Sequence, residues 1–323
     1  MDSKQLRRSA GGALAGFFLL LAPVSIAVAA APQLKTSAPG YYRMMLGDVE
    51  VTALSDGTVD LPMTDLLTNT TAAKVRSALA KAHLKDPVEA SVNAYLINTG
   101  SKLVLIDAGA GALFGPTLGK LAASLKASGY QPEQVDEIYI THMHPDHVGG
   151  LVAANQIAFP NAIVRADQRE ADYWLSKANM DVAPKGMKPS FEGAMASINP
   201  YVAAGKFKPF DGNTDLVPGI KAVAARGHTP GHSIYVVESQ GQRLVLWGDL
   251  MHAAAVQFPE PSVTIKFDID SKAAAAQRKA QYADAAKRGH WVPAAHLPFP
   301  GIGHLRADAT GYDWIPANYT ALR

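Results

Sequence analysis

The sequence predicts an α/β protein in which two sheets pack together with helices on their outer faces, within one domain. Three observations carry this expectation. Short apolar runs rich in valine, isoleucine and leucine, bounded by turn residues, recur in both halves of the chain. Helical patterning follows the strand runs in each half, as layered α/β architectures require. A hydrophobic fraction of 48% over 323 residues, with 18% charged, supplies the core of one large domain and excludes global disorder.

Residues 30–40 read as an irregular arm containing Pro32 and Pro39, and 41–323 as the folded domain. Strand-type runs follow at 49–54, 94–98 and 103–107, the last two separated by the turn-forming Thr99-Gly100-Ser101. Residues 117–128 place Leu118, Leu121 and Leu125 at helical intervals and end at Gly129. Strands are expected at 135–140 and 162–165, and helices at 168–178 and 190–204, with 181–188 a loop between them. In the second half, strands at 220–224, 233–237 and 244–247 precede an alanine-rich helix at 271–288, and 291–295 is a last short strand.

The first residues read as an export signal. Lys4, Arg7 and Arg8 precede an apolar run at 13–22, and small residues end at Ala27-Val28-Ala29, which places cleavage after Ala29. The apolar run is shorter than the roughly 20 residues of a spanning helix, and Pro23 interrupts it, so no stable membrane span is expected. Arg7-Arg8 is a weak twin-arginine signal, because Ser9-Ala10 lack the bulky apolar residues that follow such a pair. The mature protein is expected in the periplasm or outside the cell. Segment 1–29 carries the whole net charge of +2, which leaves the rest neutral and gives no electrostatic case for a nucleic-acid partner.

The chain has ten histidines and no cysteine. A disulfide scaffold, a thiolate metal site and a cysteine nucleophile are therefore excluded, and the chemistry must use nitrogen and oxygen. The informative run is Thr141-His142-Met143-His144-Pro145-Asp146-His147-Val148-Gly149-Gly150, at the end of the strand expected at 135–140. Residues two apart in extended chain share a side, so His142 and His144 fall together. Pro145 breaks the strand, and the turn can bring Asp146 and His147 to the same cavity, with Gly149 and Gly150 letting backbone pass close behind. Three imidazoles and a carboxylate in one segment exceed what one closed metal site takes from a loop, which suggests two adjacent ions. Later candidates follow strands: His228 and His232 in Gly227-His228-Thr229-Pro230-Gly231-His232, Asp249 in Gly248-Asp249, and His296 or His304 near the end. Asp107, at a strand end, either orients a ligand histidine or caps a turn. His83 and His290 read as ordinary surface residues.

With these motifs in order, the chain resembles the metallo-β-lactamase superfamily, whose His-x-His-x-Asp-His motif is matched at His142 to His147. The resemblance implies an αββα sandwich of two packed mixed sheets with a binuclear site at one edge. It implies that His142, His144 and His228 hold one divalent ion, that Asp146, His147 and His296 hold the other, and that Asp249 bridges them. His232 is then structural, and His296 is preferred to His304 because it ends a strand. The exported leader and the ending His296-Leu297-Pro298-Phe299-Pro300-Gly301-Ile302-Gly303-His304 are similar to the methyl parathion hydrolase branch, which includes dihydrocoumarin hydrolase. Leu67, His252, Ile265 and Phe267 look like the lactonase type of that branch. The branch also implies a homodimer.

The activity this implies is opening of aromatic lactones and cleavage of aryl esters, with a metal-bridging hydroxide as nucleophile. Asp249 and Asp146, and also His252, are the candidate catalytic residues. Phe114, Trp174 and Phe191 are expected around the mouth, with Leu67, Ile265 and Phe267 deeper. Zinc is the expected metal, while the donor set also suits manganese, iron or cobalt. Weak phosphotriester hydrolysis is compatible with the same nucleophile. Organophosphate hydrolysis and N-acyl homoserine lactone opening are the rival hydrolase readings, and a mononuclear iron persulfide dioxygenase is the rival of another class.

Overall fold

The computed structural model describes residues 31–319 and Leu322, and the leader expected at 1–29 lies outside them. Residues 31–37 have no regular secondary structure, and the compact unit begins at Ala38. Two sheets form its centre. The first has six strands in the order Tyr41–Leu46, Val49–Leu61, Val88–Asn98, Leu103–Ile106, Glu137–Tyr139 and Ile163–Arg165. Its first four strands pair antiparallel and the last two join in parallel. The second is an antiparallel meander of Thr214–Val217, Ile220–Ala224, Ser233–Ser239 and Gln242–Leu246. It continues through Val245 N–H to the Trp291 carbonyl at 2.8 Å and Trp247 N–H to the Pro293 carbonyl at 2.9 Å. Beyond them a small sheet pairs Val292–Pro293, Ile302–Ala307 and Tyr312–Pro316.

The central strands are buried on both faces, which is why they read as unbroken apolar runs. In Val88–Asn98, Tyr95 and Ile97 enter the core between the sheets, where they meet Tyr235 and Val237 of the second sheet. Ala94 and Leu96 point the other way, toward Leu121, Leu125, Trp174 and Phe191 of the outer helices. On the far side, Ile234, Val236 and Trp247 pack beneath Tyr282 and Ala285 of the long helix Ser271–Arg288. The layers are therefore helix, sheet, sheet, helix: an αββα sandwich. Among the described residues, no helix is long and apolar enough to cross a membrane.

The long helix has the bounds its pattern predicts. The Asp270 carboxylate accepts the Ala273 N–H at 2.9 Å, and Lys287 and Arg288 lie in the last turn, where cations favour the helix dipole. Other elements depart from the pattern. The strand expected at 49–54 runs on through Leu61, because a bulge between Ser55 and Gly57 turns the polar Asp56 inward. There the buried carboxylate of Asp56 accepts three backbone N–H groups, from Ala110 at 2.9 Å, Gly119 at 3.0 Å and Leu121 at 2.9 Å. The helix expected at 168–178 breaks into Gln168–Trp174 and Lys177–Val182, with the Ser176 hydroxyl capping the second. Residues 181–188 are thus partly helical, with a further 3₁₀ turn at Lys185–Met187.

His83 is exposed, as expected, but His290 is only 5% exposed, which corrects its reading as a surface residue. Gly289 ends the long helix and the chain turns back to pair Trp291 with Leu244, carrying the imidazole inward. Burial pushes its pKa down to about 4.

Two predictions follow from these buried polar groups. Asp56→Ala leaves two buried donors and one partly buried donor unpaired and should lower unfolding stability by about 2–5 kcal/mol in urea denaturation; a loss near zero would contradict the role of this carboxylate. For His290, the unfolded chain takes up a proton more readily than the fold. Its contribution is present above about pH 6.5 and is lost as pH falls toward about 4. His290→Gln should therefore lose less stability than the parent between about pH 7.5 and about pH 5, and equal losses would contradict this.

Candidate metal centre

The site is assembled from loops that leave the strands of both sheets at one edge. After Glu137–Tyr139, Thr141 is pinned by Asp107, whose two carboxylate oxygens accept the Thr141 N–H and hydroxyl at 2.8 Å each. Asp107 adopts φ 61°, a left-handed conformation that aspartate tolerates better than most residues. Pro145 then opens a single helical turn, Pro145–Val148, with the His147 N–H donating to the His144 carbonyl at 3.0 Å. The chain leaves past Gly150, where a Cβ would lie 1.9 Å from the Ala108 carbonyl oxygen, so only glycine fits.

From the second sheet come His228 and Asp249. The buried Glu170 carboxylate ties the two loops together: it accepts the Met143 N–H at 2.9 Å, the Thr229 hydroxyl at 2.8 Å and the Gly231 N–H at 2.8 Å. Gly248, at φ 52°, lets the backbone turn against His232. His232 accepts the Asp249 N–H at Nε2 (3.1 Å) and donates from Nδ1 to the Ala225 carbonyl (3.2 Å), so both its nitrogens are committed to backbone. His296 follows Val292–Pro293.

Seven side chains form two groups. His142, His144, His228 and Asp249 make one, and Asp146, His147, His296 and the same Asp249 make the other, with the ligand atoms of each group within 4.8 Å of one another. Asp249 faces both groups. Oδ1 lies 3.2 Å from Nε2 of both His147 and His296, and Oδ2 lies 3.5 Å from His142 Nε2, 3.4 Å from His228 Nε2 and 3.2 Å from His296 Nε2. His304 stands apart, its ring against Trp291 and its Nδ1 on the His290 carbonyl.

Hydrogen bonding behind the imidazoles shows that these residues fit metal ions. His147 donates Nδ1–H to Asp107 at 2.9 Å, His228 to Asp268 at 2.8 Å and His296 to the Ser91 carbonyl at 2.9 Å. The Thr141 hydroxyl gives its proton to Asp107 and accepts His142 Nδ1–H at 3.1 Å. In the neutral imidazoles each Nε2 then has its lone pair aimed into the cluster. His142 Nε2 and His228 Nε2 lie 3.0 and 3.1 Å from His144 Nδ1, and His147 Nε2 and Asp249 Oδ1 are buried without a hydrogen-bond partner among the described residues. Converging lone pairs of nitrogen and carboxylate oxygen suit divalent ions.

The electrostatics agree. Burial and neighbouring imidazoles hold His142 and His144 well below the usual histidine range, so both are neutral donors. Burial opposes charge on His228, yet its bonds to Asp249 and Asp268 push it up to about 9. His147 and His296 are likewise raised against burial by the surrounding carboxylates. Protons thus collect where cations would sit.

His252 adjoins the cluster, with Nε2 3.0 Å from Asp249 Oδ2 and its ring stacked 5.0 Å from that of His296. Burial lowers it to about 4, so it is neutral. Gln257 fixes its position by accepting the His252 and Ala253 N–H groups at 2.7 and 3.0 Å. Leu67 and Ile265 pair across a two-stranded ladder and are buried, whereas Phe267, 36% exposed, stands 5.9 Å from the His252 ring. Phe114 is 44% exposed on a loop whose Leu113 packs near Gly149 and Gly193. Trp174 and Phe191 correct the sequence expectation: both are fully buried in the core, and Trp174 backs His144 edge-on at 5.2 Å instead of ringing a mouth. Sequence reasoning missed Asp268, Glu170, Gln257 and Arg278. The partners of Glu170 and Arg278 and the His228 partner of Asp268 lie far along the chain, and Gln257, though near its partners, belongs to no recognisable motif.

A family model of the metallo-beta-lactamase superfamily matches residues 88–295. The chain belongs to that superfamily. Among solved structures, the hydrolase AbOPH of the beta lactamase superfamily is 40% identical, with a TM-score of 0.85 over 88% of this chain and 100% of that one. AidC, a dizinc quorum-quenching lactonase in complex with an N-hexanoyl-homoserine product, is 28% identical, with a TM-score of 0.80 over 87% and 99%. Among curated relatives, an N-acyl homoserine lactonase of Bacillus cereus is 28% identical over 127 residues, 39% of this chain and 42% of that protein. Ribonuclease TTHA0252 of Thermus thermophilus is 29% identical over 178 residues, 54% of this chain. This chain spans only 38% and 42% of the length of those two curated relatives. Superfamily membership and the two His/Asp donor groups give this chain a candidate divalent-metal site, and lactonases are among the proteins it is similar to.

Asp107→Asn should weaken zinc binding to the apo-protein by roughly 10–100-fold, most strongly for the ion bound near His147. Unchanged affinity at both positions in a calorimetric titration would contradict the role given to Asp107.

Proposed function

We propose that this chain is a binuclear metal-dependent hydrolase that opens lactones, aromatic lactones foremost, and cleaves aryl esters. The observation that carries the reading is Asp249, one buried carboxylate shared between two complete donor groups. A mononuclear site has no need of that division. His142, His144 and His228 would hold one ion, and Asp146, His147 and His296 the other, with zinc the preferred metal. When bound, two divalent ions polarise a carbonyl and bring the ionisation of water near neutral pH.

The chain's own residues do the rest. Asp107, Asp268 and the Ser91 carbonyl fix the imidazole tautomers, so the ligands need no reorganisation as charge develops. Asp249 and Asp146 hold negative charge beside the reacting centre. His252, neutral and locked by Gln257, donates Nε2–H to Asp249 Oδ2, which leaves its buried Nδ1 an acceptor without a partner among the described residues, free to take an N–H or O–H of substrate or water. Phe267 offers an aromatic face next to it, and Phe114 an exposed one, which together favour a flat apolar acyl or aryl group. An aryl ester leaves as a phenolate and needs no strong acid, in keeping with a neutral His252. Similarity to AidC over 99% of its chain favours N-acyl homoserine lactones as the second substrate class. Phosphotriester hydrolysis would be a weak side activity. Export of the protein and a homodimer complete the reading.

Purified protein should contain about two ions per chain and lose activity on chelation, with recovery on adding zinc. Initial rates on dihydrocoumarin, an aryl acetate, an N-acyl homoserine lactone and a phosphotriester should rank aromatic lactone first and aryl ester second. One iron per chain without ester turnover would overturn the proposal.

A further inference from the structure

We propose that Arg278 is a positioning residue that couples the wall of the substrate pocket to the metal centre; this rests on the two-metal reading above. Arg278 projects from the buried face of the long helix and is 0% exposed. A guanidinium is a planar cation with five N–H donors, so each hydrogen bond it makes there is charge-assisted.

Its contacts gather three segments of the site. Nε donates to the Leu250 carbonyl, one residue beyond Asp249. Nη1 donates to the Val263 carbonyl at 2.6 Å and the Pro261 carbonyl at 3.2 Å, on the stretch leading into Ile265 and Phe267. Nη2 lies 4.0 Å from Asp268 Oδ2. Asp268 in turn accepts the Ile265 N–H at 3.1 Å and His228 Nδ1–H at 2.8 Å. One planar cation therefore hydrogen-bonds the backbone beside the shared carboxylate and the backbone of the pocket wall, and places its charge 4.0 Å from the carboxylate that fixes the tautomer of His228. A lysine keeps the charge but has no planar fork to hold three carbonyls at once.

The test uses full-length protein loaded with cobalt(II) in Arg278→Lys, Asp268→Asn and the double variant, with Leu125→Ala as the control. Leu125 lies in the outer core, and its truncation destabilises by about 2–5 kcal/mol without touching the site. Both single variants should alter the visible spectrum of one cobalt ion and weaken its binding about tenfold. The double variant should be little worse than either single one, as expected for groups acting through one chain of contacts. Leu125→Ala should lose stability with the parent's spectrum and affinity. Parent-like spectra and affinities in both single variants would overturn the proposal, leaving Arg278 a purely structural residue. Should Arg278→Lys not fold, Arg278→Gln with Asp268→Asn gives the same decision. A parent protein that binds no cobalt would instead overturn the two-metal reading itself.

Discussion

Everything at this site depends on one constraint: an imidazole has two nitrogens, and a metal centre needs one of them bare. The structure meets it at His142, His147, His228 and His296 by giving the distal N–H an acceptor that can only accept, either a carboxylate or a carbonyl, or a threonine hydroxyl already spent on a carboxylate. The tautomer is then fixed by the fold before any ion arrives. The consequence is a buried volume in which lone pairs face one another with no hydrogen between some of them, an arrangement unstable without cations or protons. His232 shows the same rule used for the opposite purpose. With both nitrogens committed to backbone groups, it is kept out of the ligand set and instead holds the peptide of Asp249.

The ligand-bearing loops leave both sheets, so the site exists only once the sandwich has closed. The Ser233 N–H donates to the Thr141 carbonyl at 2.9 Å, and the Tyr235 hydroxyl to the Ile140 carbonyl at 2.7 Å, stitching the second sheet to the first histidine loop. On the other side, the Asn93 N–H donates to the Ala295 carbonyl at 2.9 Å and its amide to the Leu297 carbonyl at 2.7 Å, bracketing His296. Packing of the sheets and construction of the metal centre are thus one event, driven by the apolar faces and given its register by these polar stitches.

The ligands were legible in the sequence because each sits in a short motif after a strand, where spacing alone carries chemistry. The groups that orient them were not. Asp268 is 40 residues from His228, and Glu170 sits in what reads as an ordinary capped helix start. Trp174 and Phe191 were misplaced for a related reason: an aromatic beside a ligand reads the same whether it backs the ring or faces solvent, and only burial separates the two. His290 misled because the residues before it are charged and helical, while a parallel bridge one residue later carries it inside. The strand through Asp56 was cut short because a polar triplet resembles a turn until three loop amides are found to need that carboxylate.

Charge explains why the second ring of residues has the composition it does. Asp146 and Asp249 would face the ions, while Asp107 and Asp268 stand behind the imidazoles, so four carboxylates converge on a largely buried volume open at Asp146. Buried carboxylates without cations are costly, and in the metal-free protein the imidazoles answer that cost by holding protons. This is why His228, His147 and His296 are raised despite their burial. Two divalent ions would cancel the four charges and release those protons, making metal affinity fall in acid. Asp268 has the additional company of Arg278, whereas Asp107 has hydrogen bonds but no arginine or lysine partner among the described residues. The two metal positions are therefore unequal by construction, with the carboxylate behind His228 lying beside a cation that also bonds the pocket wall and the carboxylate behind His147 held by hydrogen bonds within the first sheet.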